Sequence, residues 1–131
     1  MVETASLSRK VEAGDIIRFT EISGDRNPLH WDQSAARSSR FGEIIVQGGV
    51  TSAILNAVVA EELPGPGTVF LHVHWSFRAP FWPGDTITGT VKVLEVRSDR
   101  PITKLAAKIT RQDGVVPLEG AALWNTAKLR S

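Results

Sequence analysis

From Thr68 onward the chain alternates apolar and polar residues with a period of two, the spacing of half-buried strands. Val69, Leu71, Val73, Trp75 and Phe77 alternate with His72, His74, Ser76 and Arg78. Pro83-Gly84-Asp85 makes a turn, after which Ile87, Gly89, Val91 and Val93 alternate with Thr86, Thr88, Thr90 and Lys92. The phase slips at Val93-Leu94, as a bulge would make it do. Ser98-Asp99-Arg100-Pro101 turns the chain again, and Leu105, Ala107 and Ile109 alternate with Lys104, Ala106 and Lys108. Asp113-Gly114 is a hairpin signal. Val116 to Leu129 reads as the last strand, with Leu118, Ala122 and Trp124 on one face and Pro117 near its start or at an edge. The pattern predicts four long strands.

The first half has helical periodicity instead. Val50, Ala53, Ile54, Ala57 and Val58 follow i, i+3, i+4, i+7, i+8 spacing, predicting a helix over Gly49 to Glu62. Leu55 and Val59 make its other face apolar too, so it is expected to be buried nearly all round. Pro64-Gly65-Pro66-Gly67 stops it. Asp15 to Ser23 also reads as a helix, with Gly24 at the C′ position. Asn27 and Pro28 then suit the cap and first position of a short helical turn, and Gln33 to Arg40 follows as a short polar segment. One buried helix followed by strands implies an α+β fold: an antiparallel sheet wrapped around that helix. The open edges of such a sheet need cover, and two protomers pairing their sheets would supply it.

Composition narrows the picture. At 131 residues the chain is expected to be one domain spanning 1–131, able to bury a core without disulfides or metal. A net charge of +1 provides no electrostatic argument for nucleic acid. The absence of cysteine removes disulfides and Cys-ligated zinc. Met1 to Lys10 has no apolar h-region, and Ile44 to Ala60, the most apolar window, is broken by Gln47, Gly48, Gly49 and Asn56 and is too short to span a bilayer. A cytoplasmic protein without membrane contact is the default expectation.

The candidate chemistry lies in Ser23-Gly24-Asp25-Arg26-Asn27-Pro28-Leu29-His30-Trp31-Asp32. The Asn27-Pro28 step puts His30 in the first turn of a short helix, with Asp25 in the loop before it. An acid and an imidazole sharing a water are apparatus for moving protons. Taken singly, Asp25 is ordinary turn chemistry and His30 an ordinary hydrogen-bonded structural residue. Phe41-Gly42-Glu43-Ile44-Ile45-Val46-Gln47-Gly48-Gly49 follows, an apolar run ending in two glycines that open the next helix. A helix start has unpaired N–H groups and a positive partial charge, and glycine there lets a carbonyl group approach closely.

These segments resemble the MaoC-like (R)-specific enoyl-CoA hydratase family, which has the hot-dog fold. The resemblance rests on Phe19, Ser23, Gly24, Asp25, Asn27, Pro28, Leu29, His30 and Asp32, then Phe41-Gly42, Ile45-Val46 and Gly48. It continues through Leu63 to Thr68, Phe77-Arg78-Ala79-Pro80 and Pro83-Gly84-Asp85, covering about Val11 to Trp124. It implies a reversible hydration of 2-enoyl-CoA thioesters to (R)-3-hydroxyacyl-CoA in a homodimer. It puts an Asp25/His30 dyad at the reacting water and an oxyanion donor on the Gly48 N–H, with Gly49 beside it and Asn27 in support. No cofactor and no metal are implied. The resemblance admits either a CoA or an acyl-carrier-protein thioester as substrate.

Two positions depart from the family pattern. Many members have His-Gly where this chain has Gln47-Gly48; Gln47 is read as a structural substitute. Where close relatives place a Ser supporting the catalytic Asp, this chain aligns Asn56, which is expected to donate to Asp25. A hot-dog thioesterase is the first rival, but it would want an acid on the central helix, and none comes before Glu61 and Glu62. A non-catalytic acyl-thioester-binding subunit is the second.

The remaining features read more plainly. His72 and His74, at i, i+2 on one strand face, have a spacing that suits metal ligands, but no third ligand is evident and a solvent or subunit-interface face is expected. Leu63 to Thr68 lacks Walker spacing and is a turn. Asp32 is read as a helix-end or surface acid. Trp31, Trp75, Trp82 and Trp124 are core or interface candidates, with Trp82 also placed to wall a ligand tunnel.

Overall fold

The structure, a computed structural model, describes residues 3–63, 65–97 and 99–125. Five strands form one antiparallel sheet: β1 (Thr4–Lys10), β2 (Val69–Phe77), β3 (Thr86–Val96), β4 (Ile102–Arg111) and β5 (Leu118–Asn125), in the order β1-β3-β4-β5-β2. The helices are α1 (Ala13–Ser23), a 3₁₀ turn over Pro28–His30, α2 (Gln33–Ser38) and α3 (Gly48–Glu61). α3 lies against β1, β3 and β4. This is the expected hot-dog arrangement, an α+β fold whose sheet wraps one central helix.

α3 packs through Val50, Ile54, Leu55, Val58 and Val59, all buried in one cluster with Ile87, Val91, Leu105, Ile109 and Leu118. The helix lies close over Gly89 of β3, where a Cβ would meet Ile54 Cγ2 at 3.1 Å and Leu55 Cδ2 at 3.4 Å. Leu55 is fully buried, so truncating it to alanine would cost about 2–5 kcal/mol. The helix is not buried all round, contrary to expectation: Ala53 and Asn56 form an exposed stripe in the single chain.

The sheet has one strand more than the pattern predicted. β1 carries only Ala5 and Leu7 as apolar residues, too few for a local signal. Tertiary pairing makes it a strand: Ala5 stands opposite Val91 and Leu7 opposite Gly89, and both pack on the core. The bulge expected at Val93-Leu94 is present as a register shift between Val93 and Glu95. A second bulge, between Phe70 and His72, reverses the expected facing at the start of β2. Phe70, not Leu71, joins the inner face, opposite Trp124 and edge-on to Trp75 at 6.2 Å. Leu118, Ala122 and Trp124 are all buried, as their shared face required, and Pro117 sits just before β5. The last expected strand residues, 126–129, lie outside the described residues. The polar segment after the 3₁₀ turn is helical as α2, and Asp32 caps it by accepting from Ser34 N–H at 2.9 Å and Ala35 N–H at 3.3 Å.

α1 is tied to β1 by buried Asp15. Its carboxylate accepts from Arg9 at 2.6 Å, Arg18 at 2.8 Å and the Glu12 N–H at 2.9 Å. Burial pushes this carboxyl up, but the Glu12 N–H and the two guanidiniums more than offset that and hold it below the usual carboxylate range. Gly24 ends α1 in the left-handed conformation (φ 76°), with its N–H on Thr20 C=O at 2.8 Å. That turn directs the following loop, and with it Asp25, back across the molecule.

Candidate active site

Short side-chain-to-backbone bonds shape the loop from Ser23 to His30. Ser23 Oγ donates to Phe19 C=O at 2.7 Å and accepts from Asp25 N–H at 3.0 Å. Asp25 Oδ1 accepts from Asn27 N–H at 3.1 Å, and Asn27 Oδ1 accepts from Leu29 N–H at 3.1 Å. Such turns suit Asp and Asn because their short polar side chains reach the backbone two residues on. Asn27 is thus the cap that holds the 3₁₀ turn carrying His30, as expected.

The imidazole is oriented from behind. His30 Nδ1 lies 2.7 Å from the Ile45 carbonyl oxygen. A carbonyl only accepts, so Nδ1 carries the hydrogen, and the lone pair of neutral His30 sits on Nε2. Nε2 faces Asp25 Oδ2 at 3.7 Å. That gap is too long for a direct hydrogen bond. The imidazole is 9% exposed and the carboxylate 38%. The histidine is therefore held rigidly while the acid is open to solvent. Sequence reasoning missed Ile45 in this role, because a backbone carbonyl leaves no trace in residue type.

His30 also lines a cavity of about 1140 Å³, walled by Ile16, Ile17 and Thr20 of α1, by Ile44, and by Trp82 as expected from its flanking prolines. Arg26, Trp31 and Arg37 stand on the same cavity. Its lining mixes apolar side chains with charged ones, Glu21 and Glu43 besides the two arginines, and Asp25 is not among them.

Gly48 and Gly49 open α3, whose first backbone bond runs from Val50 N–H to Gln47 C=O at 3.1 Å. The two glycine N–H groups precede that bond and are left at the positive end of the helix. Gly48 lines a second, smaller cavity of about 320 Å³ with Thr51, Phe77 and Arg78, separate from the cavity at His30. Ile45, which holds His30, borders this second cavity. The glycines have a packing reason that sequence did not reveal. A Cβ on Gly48 would meet Phe77 Cε1 at 2.8 Å, and one on Gly49 would overlap the Phe19 ring. On its Cβ side Gly48 is thus covered by an aromatic ring, while it still borders the second cavity.

Gln47 is almost fully buried, and its Nε2 donates to Ile16 C=O at 3.1 Å and Thr20 Oγ1 at 2.9 Å. It fastens the start of α3 to α1, the structural part expected of it, while its Oε1 is buried with no hydrogen-bond partner among the described residues. Asn56 does not do what was expected. It is exposed, and no hydrogen bond joins it to Asp25; the support Asp25 receives comes from Asn27 N–H.

Comparison with known proteins identifies the family. The model of the MaoC like domain matches residues 2–114. The chain belongs to the MaoC-like domain family. A MaoC-like relative, an (R)-specific enoyl-CoA hydratase of Aeromonas caviae, is 33% identical over 121 residues, covering 92% of this chain and 90% of the relative. A 3-hydroxybutyryl-CoA dehydratase of Methylorubrum extorquens is 37% identical over 125 residues, covering 95% and 79%. Among solved structures, an (R)-hydratase from A. caviae superimposes with a TM-score of 0.91 at 32% identity, covering 95% of each chain. An R-hydratase from Pseudomonas aeruginosa gives 0.88 at 29% identity, covering 98% of this chain and 86% of that one. Among the described residues, no helix is long and apolar enough to cross a membrane.

Proposed function

We propose that this MaoC-like chain is a hydro-lyase that adds water reversibly to 2-enoyl-CoA thioesters, giving (R)-3-hydroxyacyl-CoA. One observation carries the reading: with Nδ1 committed to Ile45, His30 Nε2 and Asp25 Oδ2 are two acceptors 3.7 Å apart. A single water there donates one hydrogen to each. As its oxygen attacks C3, one of the pair takes a proton, and a proton returns to C2 from the same side. The product gains OH at C3 and H at C2 by syn addition. Charge gathers on the thioester oxygen as the enolate forms, and the free N–H groups at the start of α3, Gly48 first, are the donors for it.

The relatives' names point to the same reaction, and they include 3-hydroxyacyl-[acyl-carrier-protein] dehydratases besides the CoA enzymes. α3 carries no acid before Glu61, which leaves thioester hydrolysis without its base. The test is to mix the purified protein with crotonyl-CoA. Loss of the enoyl absorbance with (R)-3-hydroxybutyryl-CoA as product supports the proposal. Release of free CoA thiol instead makes the chain a thioesterase, no reaction makes it a binding subunit, and an (S) product refutes the site assignment.

We also infer a homodimer. β2 is a sheet edge, and it carries four large exposed apolar residues, Val69, Leu71, Val73 and Phe77. An apolar edge strand with unpaired backbone groups is a template for a second copy. Light scattering at micromolar concentration is expected to give twice the chain mass; a monomer mass would overturn this.

A further inference from the structure

The chain has three histidines, and two of them, His72 and His74, are outside the dyad. Both lie on β2, where His72 stands opposite Leu123 and His74 opposite Ala121. Buried Ala122 and Trp124 take the alternate positions of β5, so both imidazoles are on the face of the sheet turned away from α3. Both are exposed, and neither imidazole forms a hydrogen bond or ion pair among the described residues. The nearby acid on that face, Glu119, is engaged by Arg78 at 2.6 Å. One chain supplies no third ligand: no group of three or more His, Asp or Glu among the described residues is placed to hold a metal ion.

A second copy changes that count. β2 runs from Val69 to Phe77, nine residues centred on Val73. Two such strands paired antiparallel about a two-fold axis, with full overlap, cross at Val73. Each His72 then stands opposite His74 of the partner subunit. Opposite residues of such a pair share a face with Cβ atoms about 5 Å apart, and residues two apart along a strand are about 7 Å apart. Four imidazoles therefore occupy the corners of a small rectangle flanked by Ala121 and Leu123 of both chains. Imidazole nitrogens at that spacing can converge on one ion above the rectangle, at the roughly 2.0–2.1 Å that zinc requires.

We propose that the seam between two copies of this chain binds one divalent transition cation of the zinc type through His72 and His74 of each copy. Four protein ligands close the coordination shell, so the ion staples the dimer and takes no part in hydration. This rests on the β2-paired dimer inferred above. An ion that binds the dimer but not the monomer tightens association: free zinc at about a hundred times its Kd lowers the dimer dissociation constant about a hundredfold.

The experiment uses the full chain stripped with a chelator, then titrated with zinc chloride. Bound metal is counted after desalting, and mass is followed by light scattering on dilution. The expected result is one zinc per two chains, with the dimer surviving to about a hundredfold lower protein concentration when zinc is in such excess. His72→Gln/His74→Gln should lose the bound zinc and the zinc-dependent shift, while keeping the metal-free dimer. A dimer that takes up no zinc, one ion per chain irrespective of mass, or uptake unchanged in the double variant each overturns the site while leaving the dimer standing. A protein that is monomeric with and without zinc overturns both.

Discussion

Replacing Asp25 by Asn tests the dyad with little disturbance elsewhere. Asparagine keeps Oδ1, so the bond from Asn27 N–H that shapes the loop survives. The side chain is 38% exposed, so stability should change by no more than about 0.5 kcal/mol. What changes is the atom facing His30 Nε2. An accepting oxygen becomes a donating NH₂, and a water there loses one of its two acceptors. His30→Ala removes the other, along with the imidazole that Ile45 orients. Each change should cut the hydration rate by about a hundred- to ten-thousandfold, equivalent to about 2.7–5.4 kcal/mol of barrier. Because both groups act on one water, the double variant should be little slower than the slower single one. The assay is crotonyl-CoA hydration by variants whose melting matches the parent. Either variant working near the parental rate, or two losses that multiply, would refute a shared water.

Gly48→Val should force the Phe77 ring, 2.8 Å from the new Cβ, off the start of α3 and cut turnover about a hundredfold or more; parental kinetics in a folded variant would put the carbonyl elsewhere. Gly120→Ala sets a methyl against the His74 carbonyl, a backbone obstacle, and should lower the stability measured by urea unfolding by about 3 kcal/mol; a negligible loss would mean β5 and β2 pair in another register. Asp15 has a depressed pKa in the folded state, so its contribution is fully present above its unfolded value of about 3.9 and is lost as pH falls through the lower folded value. Asp15→Asn should therefore cost about 1–2 kcal/mol at pH 7, toward the low end because both guanidiniums are mostly exposed, and should lose less stability than the parent below about pH 4; equal acid sensitivity in urea melts would contradict this.

The Asp25/His30 spacing, the Asn27 cap, the α3 helix and the bulge after Val93 were legible in residue order, because each depends on a residue type acting on neighbours a few positions away. β1 was not legible, because its seven mostly polar residues become a strand only by pairing with β3, some eighty residues on. The facing of Phe70 and Leu71 was misread, since a bulge shifts phase without changing composition. Asn56 aligned with a supporting position yet lies exposed, because alignment carries no direction for a side chain. The Ile45 carbonyl fixing the His30 tautomer, and the Phe19 and Phe77 rings over the two glycines, belong to the tertiary structure alone. They arise where segments distant in sequence meet, and a backbone oxygen or an empty Cβ position has no letter of its own. The acid and the imidazole can be read from the chain, but the distance between them, and which nitrogen faces Asp25, are decided only by the tertiary structure, where Ile45 meets His30.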